Sequence, residues 1–119
     1  MSDLFAHDEP LAVAPDAYLL KGFLSDEDEM LLAEIRRLTA ISPFRHMQTP
    51  GGYRMSAAMS SCGTYGWVSD AKGYRYSPAD PLTGNPWPPL PDAFLLLSQQ
   101  AAERAGFHGF SPDSCLINC

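Results

Sequence analysis

The spacing of apolar positions along the chain predicts two amphipathic helices. In the first, apolar residues recur three and four positions apart, as on one face of an α-helix: Leu31, Ile35 and Leu38. Ser25 or Asp26 would cap its start, and the acidic residues that follow favour the positive end of the helix dipole. This helix should end before Ser42-Pro43.

A second helix should begin near Pro91-Asp92. Its apolar stripe has the same spacing: Phe94, Leu97, Ala101 and Ala105. Gly106 is the usual residue type for a left-handed cap, so we expect the helix to stop there.

Shorter apolar runs predict strands. Residues from Ala17 to Leu24 and from Cys115 to Asn118 have the length and composition of strands. Between Tyr53 and Ser60, less polar and more polar residues alternate, which is the period of a strand and would place Tyr53 and Met59 on the same side.

A proline-rich segment separates these strands from the second helix. Residues 78–91 hold six of the eleven prolines, so the segment should wrap the surface as extended chain, with a turn at Thr83-Gly84-Asn85. The run Pro86–Pro91 could serve as a ligand for proline-binding modules, which would make the protein a scaffold. We favour the alternative, in which Trp87 pins the connection to the core.

Length and composition limit the chain to one soluble domain. It has 119 residues, of which 45% are hydrophobic, and neither a membrane-spanning run nor a signal peptide is recognisable, which predicts a cytoplasmic protein. The three cysteines lack a Cys-x-x-Cys pair, so we expect free thiols, buried as small apolar residues: Cys62, Cys115 and Cys119.

The net charge of −6 is unevenly distributed. Residues 1–34 carry a charge of −8 and residues 35–119 a charge of +2. Within residues 44–76, four bases face a single acid, Asp70. This pattern predicts a weak, salt-sensitive contact with a short nucleic-acid strand.

Aromatic residues in the same region are interleaved with glycine and serine, which predicts loops rather than a packed slab: Tyr53, Tyr65, Trp67, Tyr74 and Tyr76. Aromatic rings on loops beside arginine and lysine suit stacking on unpaired bases. Packing of a small core explains them equally well on composition alone.

Motifs for other chemistries are absent from the sequence, including a phosphate-binding glycine loop and a Gly-x-Ser-x-Gly turn. His7-Asp8-Glu9 matches a His-x-Glu spacing, with His46 or His108 as a third ligand. We assign no metal ligand and no catalytic residue, because nothing in the sequence would hold such a site rigid.

An ordered series of short motifs resembles the N-terminal half of the bacterial AlkB family. The likeness starts at about Asp3-Leu4-Phe5 and includes these segments: Phe44-Arg45, Met47, Thr49-Pro50-Gly51-Gly52-Tyr53, Met55-Ser56, Ala58-Met59, Cys62-Gly63, Gly66-Trp67, Gly73-Tyr74, Tyr76-Ser77-Pro78, Asp80-Pro81, Pro86-Trp87-Pro88 and Cys115-Leu116-Ile117-Asn118. That family comprises Fe(II)- and 2-oxoglutarate-dependent oxygenases that remove alkyl lesions from nucleic-acid bases.

The resemblance implies an α+β chain that forms part of a double-stranded β-helix, or jelly-roll, dioxygenase. Residues 1–119 would be a single incomplete domain that lacks most of the jelly roll. Residues 1–43 would support it, residues 44–90 would form the nucleotide-recognition lid, and residues 91–119 would supply the second helix and the first core strand. An unpartnered strand at 115–118 would expose an apolar edge and favour aggregation.

The resemblance also implies roles for individual residues. Trp67 would stack on a flipped-out damaged base, and Met59 would shape the pocket. The neighbouring phosphates and strand would be held by a further group: Tyr74, Arg75, Tyr76, Thr49 and Tyr53. Asn118 would begin the 2-oxoglutarate motif, and Cys119 stands where the family usually has arginine.

The iron ligands of the family lie downstream of Asn118, which implies that this chain alone binds neither Fe(II) nor 2-oxoglutarate. The first hypothesis is therefore the substrate-recognition half of an oxidative dealkylase, monomeric if complete and inactive as given. Its partner would be single-stranded or locally unpaired alkylated DNA, or RNA. The alternative is a non-catalytic module that binds single-stranded nucleic acid.

Overall fold

The computed structural model describes residues 9–119, and within them the chain has the predicted α+β architecture. Six strands form three two-stranded antiparallel sheets, β1 with β2, β3 with β6 and β4 with β5. The elements in chain order are β1 (Leu11–Ala14), β2 (Ala17–Leu19), α1 (Asp28–Ile41), β3 (Met59–Gly63), β4 (Gly66–Asp70), β5 (Gly73–Ser77), α2 (Asp92–Arg104) and β6 (Ser114–Asn118). Neither helix in this part of the chain has the length and apolarity that crossing a bilayer requires.

Helix α1 is confirmed, but it begins later than predicted. Its first residue is Asp28, and the flanking residue Glu27 makes no side-chain cap hydrogen bond. The Ser25 hydroxyl donates instead to the Gly22 carbonyl oxygen at 2.9 Å, within a series of turns. The prediction of a cap at Ser25 or Asp26 is therefore wrong, whereas the end at Ile41, before Ser42-Pro43, is as predicted.

Helix α2 begins and ends where the sequence indicates. Pro91 precedes its first residue, and Gly106 has a φ of +92° just beyond its end. The Gly106 and Phe107 amides donate to the carbonyls of Glu103 and Ala102, which is the paired capping arrangement that a left-handed glycine permits.

Two of the three predicted strands need correction. The strand expected from Ala17 to Leu24 stops at Leu19, where the chain enters turns. The strand expected from Tyr53 to Ser60 begins only at Met59, because the preceding segment folds back as a turn with a bridge between Gln48 and Arg54. Tyr53 is 77% exposed and Met59 only 6%, so they do not share a surface.

The third predicted strand is confirmed as β6. It pairs antiparallel with β3, with Cys115 opposite Cys62 and Asn118 opposite Met59. The strand therefore has a partner on one edge, and its other edge is unpaired within residues 9–119. Aggregation through that edge stays a prediction.

The core lies where α1 and α2 cover the β3–β6 sheet. Leu38, Cys62 and Ile117 are buried at its centre, and partly buried apolar side chains surround them: Ile35, Phe44, Leu90, Phe94 and Cys115. All three cysteines are free as predicted, but Cys119 is exposed. The expectation of three buried thiols is therefore met by Cys62, only in part by Cys115, and is wrong at Cys119.

The proline-rich segment is fixed to the fold by Trp87. This side chain is 4% exposed, and its indole N–H donates to the Ser77 carbonyl oxygen at 2.9 Å. Pro88 and Pro91 are buried as well. Pro86 and Pro89 are exposed, so presentation of this segment to a proline-binding module stays a hypothesis, while the structural role of Trp87 is confirmed.

A buried ion pair holds the same segment. The Arg45 guanidinium donates to both carboxylate oxygens of Asp80 at 2.6 and 2.7 Å, and its central carbon lies 5.2 Å from the centre of the Trp87 ring. Asp80 is fully buried. This ion pair joins residues that lie 35 positions apart in the chain.

Candidate nucleic-acid interface

The β4–β5 hairpin presents three aromatic side chains on one face. In its register Trp67 lies opposite Tyr76 and Ser69 opposite Tyr74. Residues opposite each other, and residues two apart, share a face of an antiparallel pair, so Trp67, Tyr74 and Tyr76 lie together. The prediction of loops is wrong for these residues, since backbone hydrogen bonds between β4 and β5 fix their positions.

The rings on this face contact each other and remain accessible. Trp67 and Tyr74 are stacked, with ring centres 5.7 Å apart and planes inclined by 15°. Tyr74 is 63% and Tyr76 66% exposed, while Trp67 is half-buried. None of the three is enclosed in the protein interior, and the stack covers one face of Trp67 and one face of Tyr74.

A cavity of about 700 Å³ opens beside the hairpin. Four of the residues singled out in the sequence line it together: Met59, Trp67, Tyr76 and Asn118. The pairing of β3 with β6 brings Met59 and Asn118 opposite each other, and the adjacent hairpin supplies the two rings. The cavity thus combines an aromatic wall with the amide of Asn118.

A further wall of the cavity was missed by the sequence analysis. It is formed by the loop that precedes β6 and by the first residues of that strand: Phe110, Ser111, Pro112, Asp113, Ser114 and Leu116. The serine, proline and aspartate in this stretch are typical of a turn before a strand. Its place beside Trp67 depends on pairing between residues some 50 positions apart, which local pattern does not give.

Thr49 and Tyr53 belong to a separate turn. The Thr49 amide donates to the Tyr53 carbonyl oxygen at 2.8 Å, and the Tyr53 amide donates to the Thr49 hydroxyl at 3.2 Å. The Ser69 hydroxyl donates to the Gln48 carbonyl oxygen at 2.6 Å, which ties this turn to β4. The two residues do not line the cavity, so their contact with a strand stays a prediction.

Arg75 is engaged within the hairpin. Its guanidinium donates to both carboxylate oxygens of Asp70 at 2.8 and 2.9 Å. These bonds, with a further one from the Lys72 amide, lower the pKa of Asp70 to about 2. Arg75 lies between Tyr74 and Tyr76 in β5, so its side chain is on the opposite face of the hairpin from the three rings. If Arg75 contacts a phosphate as predicted, its guanidinium must bind the phosphate and Asp70 at the same time.

Segment 44–76 has less unpaired positive charge than its four bases indicate. Arg45 is neutralised by Asp80 and Arg75 by Asp70. Among the described residues, Arg54 and Lys72 are the bases of segment 44–76 without an ion pair. A nucleic-acid contact at this surface would therefore depend on the rings more than on the cations.

Cys119 and Asn118 differ in their surroundings. The Cys119 backbone exchanges hydrogen bonds with Ala58, and its side chain does not line the cavity. Asn118 does line it, on the side of Leu116. A part for Cys119 in cofactor binding stays a prediction.

Iron ligands are not provided by the part of the chain that the structure describes. No group of three or more histidine, cysteine or acidic side chains comes together within residues 9–119. The His46 ring nitrogen Nδ1 lies 3.0 Å from the Met55 carbonyl oxygen. His7 and Asp8 of the His-x-Glu match lie outside the described residues.

The family of this chain follows from its sequence similarity to known proteins. The chain belongs to the 2OG-Fe(II) oxygenase superfamily, whose family model matches residues 16–119. It is 48% identical over 120 residues to the alpha-ketoglutarate-dependent dioxygenase AlkB of Escherichia coli strain K12, and equally identical to that of Salmonella typhimurium strain LT2. In both cases the match covers 99% of this chain and 56% of the relative.

A more distant relative supports the same assignment. The AlkB homolog of Caulobacter vibrioides strain NA1000 is 39% identical over 111 residues, or 92% of this chain and 49% of that protein. The chain therefore spans about half the length of these relatives, and its extent fits their N-terminal half. The resemblance to the AlkB family is confirmed.

Proposed function

We propose that this chain is the substrate-recognition portion of an oxidative dealkylase that removes alkyl groups from damaged bases in single-stranded or locally unpaired DNA. The observation that carries the proposal is the position of Trp67, half-buried against Tyr74 and on the wall of a 700 Å³ cavity that also contains Asn118. A base turned out of its stack can lie against such a ring and face the cavity.

The free-energy cost of turning a base out of its stack favours binding of alkylated bases. Taking a base out of a duplex costs a few kcal/mol, and the cost is least where the lesion already prevents pairing or where the strand is single. The aromatic face of Trp67 adds stacking energy, which is similar for any base. Selection of damaged bases would then come from the cost of extrusion and from the shape of the pocket at Met59.

Fe(II) and 2-oxoglutarate would supply the oxidation, as they do in the superfamily. We propose the Asn118 amide as this chain's contact with 2-oxoglutarate, since it lies on the cavity wall and an amide N–H₂ can donate to a carboxylate. The described residues do not offer a fitting set of iron ligands, and we assign no step of the oxidation to them.

A non-catalytic module for single-stranded nucleic acid is the second candidate. It is favoured by one observation, that the three rings of the β4–β5 hairpin lie together on one face, where Tyr74 and Tyr76 are exposed. Both candidates predict binding through Trp67. They differ in that a dealkylase portion should prefer the alkylated base, whereas a general binding module should not.

The test is the affinity of the 119-residue chain for single-stranded pentanucleotides with a central 1-methyladenine or adenine, measured by fluorescence anisotropy. Trp67→Ala should weaken binding by roughly five- to 150-fold, since a base–aromatic stack contributes about 1 to 3 kcal/mol. Tyr18→Ala, which removes a ring from the remote strand β2, should leave affinity unchanged. Equal affinity of Trp67→Ala and wild type would contradict the proposal.

A further inference from the structure

A second, smaller cleft adjoins the main cavity. Tyr65, Tyr76 and Asp113 line a space of about 280 Å³. Tyr76 and Asp113 also line the large cavity, so the two spaces are neighbours. The volume is just below the roughly 300 to 1,000 Å³ found for small-molecule pockets.

The backbone holds Asp113 in place at this cleft. The Thr64 amide donates to the Asp113 carbonyl oxygen at 2.8 Å. Gly63 has a φ of +116°, and a Cβ there would collide with the same carbonyl group. The connection that carries Tyr65 is therefore fixed against the loop that carries Asp113.

The lining of the cleft indicates what it can bind. Tyr65 is 42% and Tyr76 66% exposed, so both phenol rings can contact a flat ligand. Lysine and arginine are missing from this lining, and a carboxylate repels phosphate. A carboxylate accepts well from the exocyclic amino group of cytosine or adenine, whereas thymine presents a carbonyl oxygen at that position.

We propose that this cleft is a second base site, which takes the nucleotide next to the extruded one and prefers cytosine or adenine over thymine. The inference rests on the proposed function, because a strand anchored at Trp67 would carry its neighbouring nucleotide past Tyr76. Tyr65 would stack on the neighbouring base, and Asp113 would accept from its amino group.

The experiment compares two pentanucleotides in which a central 1-methyladenine is flanked on both sides by cytosine or on both sides by thymine. Anisotropy titrations with the 119-residue chain should give roughly three- to tenfold tighter binding with cytosine, as expected for the net contribution of one solvent-accessible hydrogen bond. Asp113→Ala should abolish that preference. Asp16→Ala makes the same change of net charge in the distant β1–β2 turn and should retain it.

Tyr65 is tested separately. Tyr65→Ala should weaken binding of both oligonucleotides by about tenfold, because a stack is lost whatever the base. Tyr65→Phe keeps the ring and should bind as wild type does, which separates stacking from any loss of folding. Circular dichroism melts of all variants provide the control for stability.

Two results would overturn the second base site. One is equal binding of the two oligonucleotides by the wild-type chain, and the other is an unchanged cytosine preference in Asp113→Ala. If Trp67→Ala still weakens binding in either case, only the second site fails and the proposed function stands. If affinity does not depend on Trp67, the proposed function fails and the second site fails with it.

Discussion

Gly66 lets the β4–β5 hairpin, which carries Trp67, Tyr74 and Tyr76, pack closely against the rest of the chain. It begins β4 directly before Trp67, and a Cβ at this position would collide with the Trp87 ring. The close approach lets the hairpin rest on a buried indole that is itself hydrogen-bonded to Ser77. The prediction of a loop at Gly66 is wrong, since its contact with residue 87 is not visible in the local sequence.

Replacing Gly66 by alanine should destabilise the chain. We expect Gly66→Ala to lower the free energy of unfolding by about 1 to 3 kcal/mol, because the added methyl group must displace the Trp87 ring. Gly51→Ala is the matched control, since a Cβ there would lie 3.6 Å from the Tyr53 ring, an ordinary contact. Urea unfolding of both variants checks this, and equal stabilities would refute the packing argument.

The two aspartate–arginine pairs allow a comparison between elements. Asp80 with Arg45 is buried and joins the proline-rich segment to the chain after α1, whereas Asp70 with Arg75 is exposed within the β4–β5 hairpin. Asp80→Asn should lower the free energy of unfolding by about 3 kcal/mol, because a mostly buried guanidinium loses its counterion. Asp70→Asn should cost much less, since solvent screens that pair. Equal losses in denaturant unfolding would contradict this difference.

The buried pair of Asp80 and Arg45 predicts how the stability of the chain depends on pH. Burial opposes the charge of Asp80, but hydrogen bonds from Arg45 and the Leu82 amide hold its pKa below the usual value. As the pH falls, the unfolded chain therefore takes up the proton first, near pH 3.9. The stability that the lowered pKa of Asp80 contributes is complete above about pH 3.9 and is lost as the pH falls through the lower pKa of the folded state.

This pH dependence can be measured by denaturant unfolding between pH 7 and pH 2. The wild-type chain should lose stability below about pH 4, and Asp80→Asn should lose less over the same interval. Asp70 contributes in the same direction, because its pKa is lowered to about 2. Parallel profiles for the wild type and Asp80→Asn would show that the buried pair does not act in this way.

The elements differ in how far the sequence predicts them. Helix α2 follows from its spacing and from Gly106, because both signals are local. Strand β3 does not, since Ser60, Ser61 and Cys62 are buried on both faces and show no alternation. The alternation from Tyr53 onwards belongs to a turn that a hydrogen bond between Ser69 and Gln48 holds against β4.

For the whole molecule, charge limits how nucleic acid can be held. The chain carries a net charge of −6, and two of the four bases in segment 44–76 are occupied by carboxylates. If Arg54 and Lys72 alone contact phosphates, the logarithm of affinity should fall with the logarithm of salt concentration with a slope of about −1.4.

The slope also tests the expected role of Arg75. A third phosphate contact would steepen it to about −2.1, and Arg75→Gln would then reduce it again. Titrations of the pentanucleotide between 50 and 300 mM salt measure the slope. A slope of about −4 or steeper would contradict an interface based on rings.

The candidate site could be predicted in part. The resemblance to the AlkB family singled out Met59, Trp67, Tyr76 and Asn118, which the fold brings to one cavity. The wall from Phe110 to Ser114 could not be predicted, because it reaches the hairpin only through the pairing of β6 with β3. Likewise, composition does not show that Arg75 forms an ion pair with Asp70.

The most direct measurement uses the two tryptophans of the chain as probes. The protein labelled with 5-fluorotryptophan should give two fluorine resonances, one from Trp67 and one from the buried Trp87, assigned with Trp67→Phe. Addition of the 1-methyladenine pentanucleotide should shift the Trp67 resonance through ring stacking and leave that of Trp87 in place. Binding detected by anisotropy with no change at Trp67 would contradict the claim that this indole receives the extruded base.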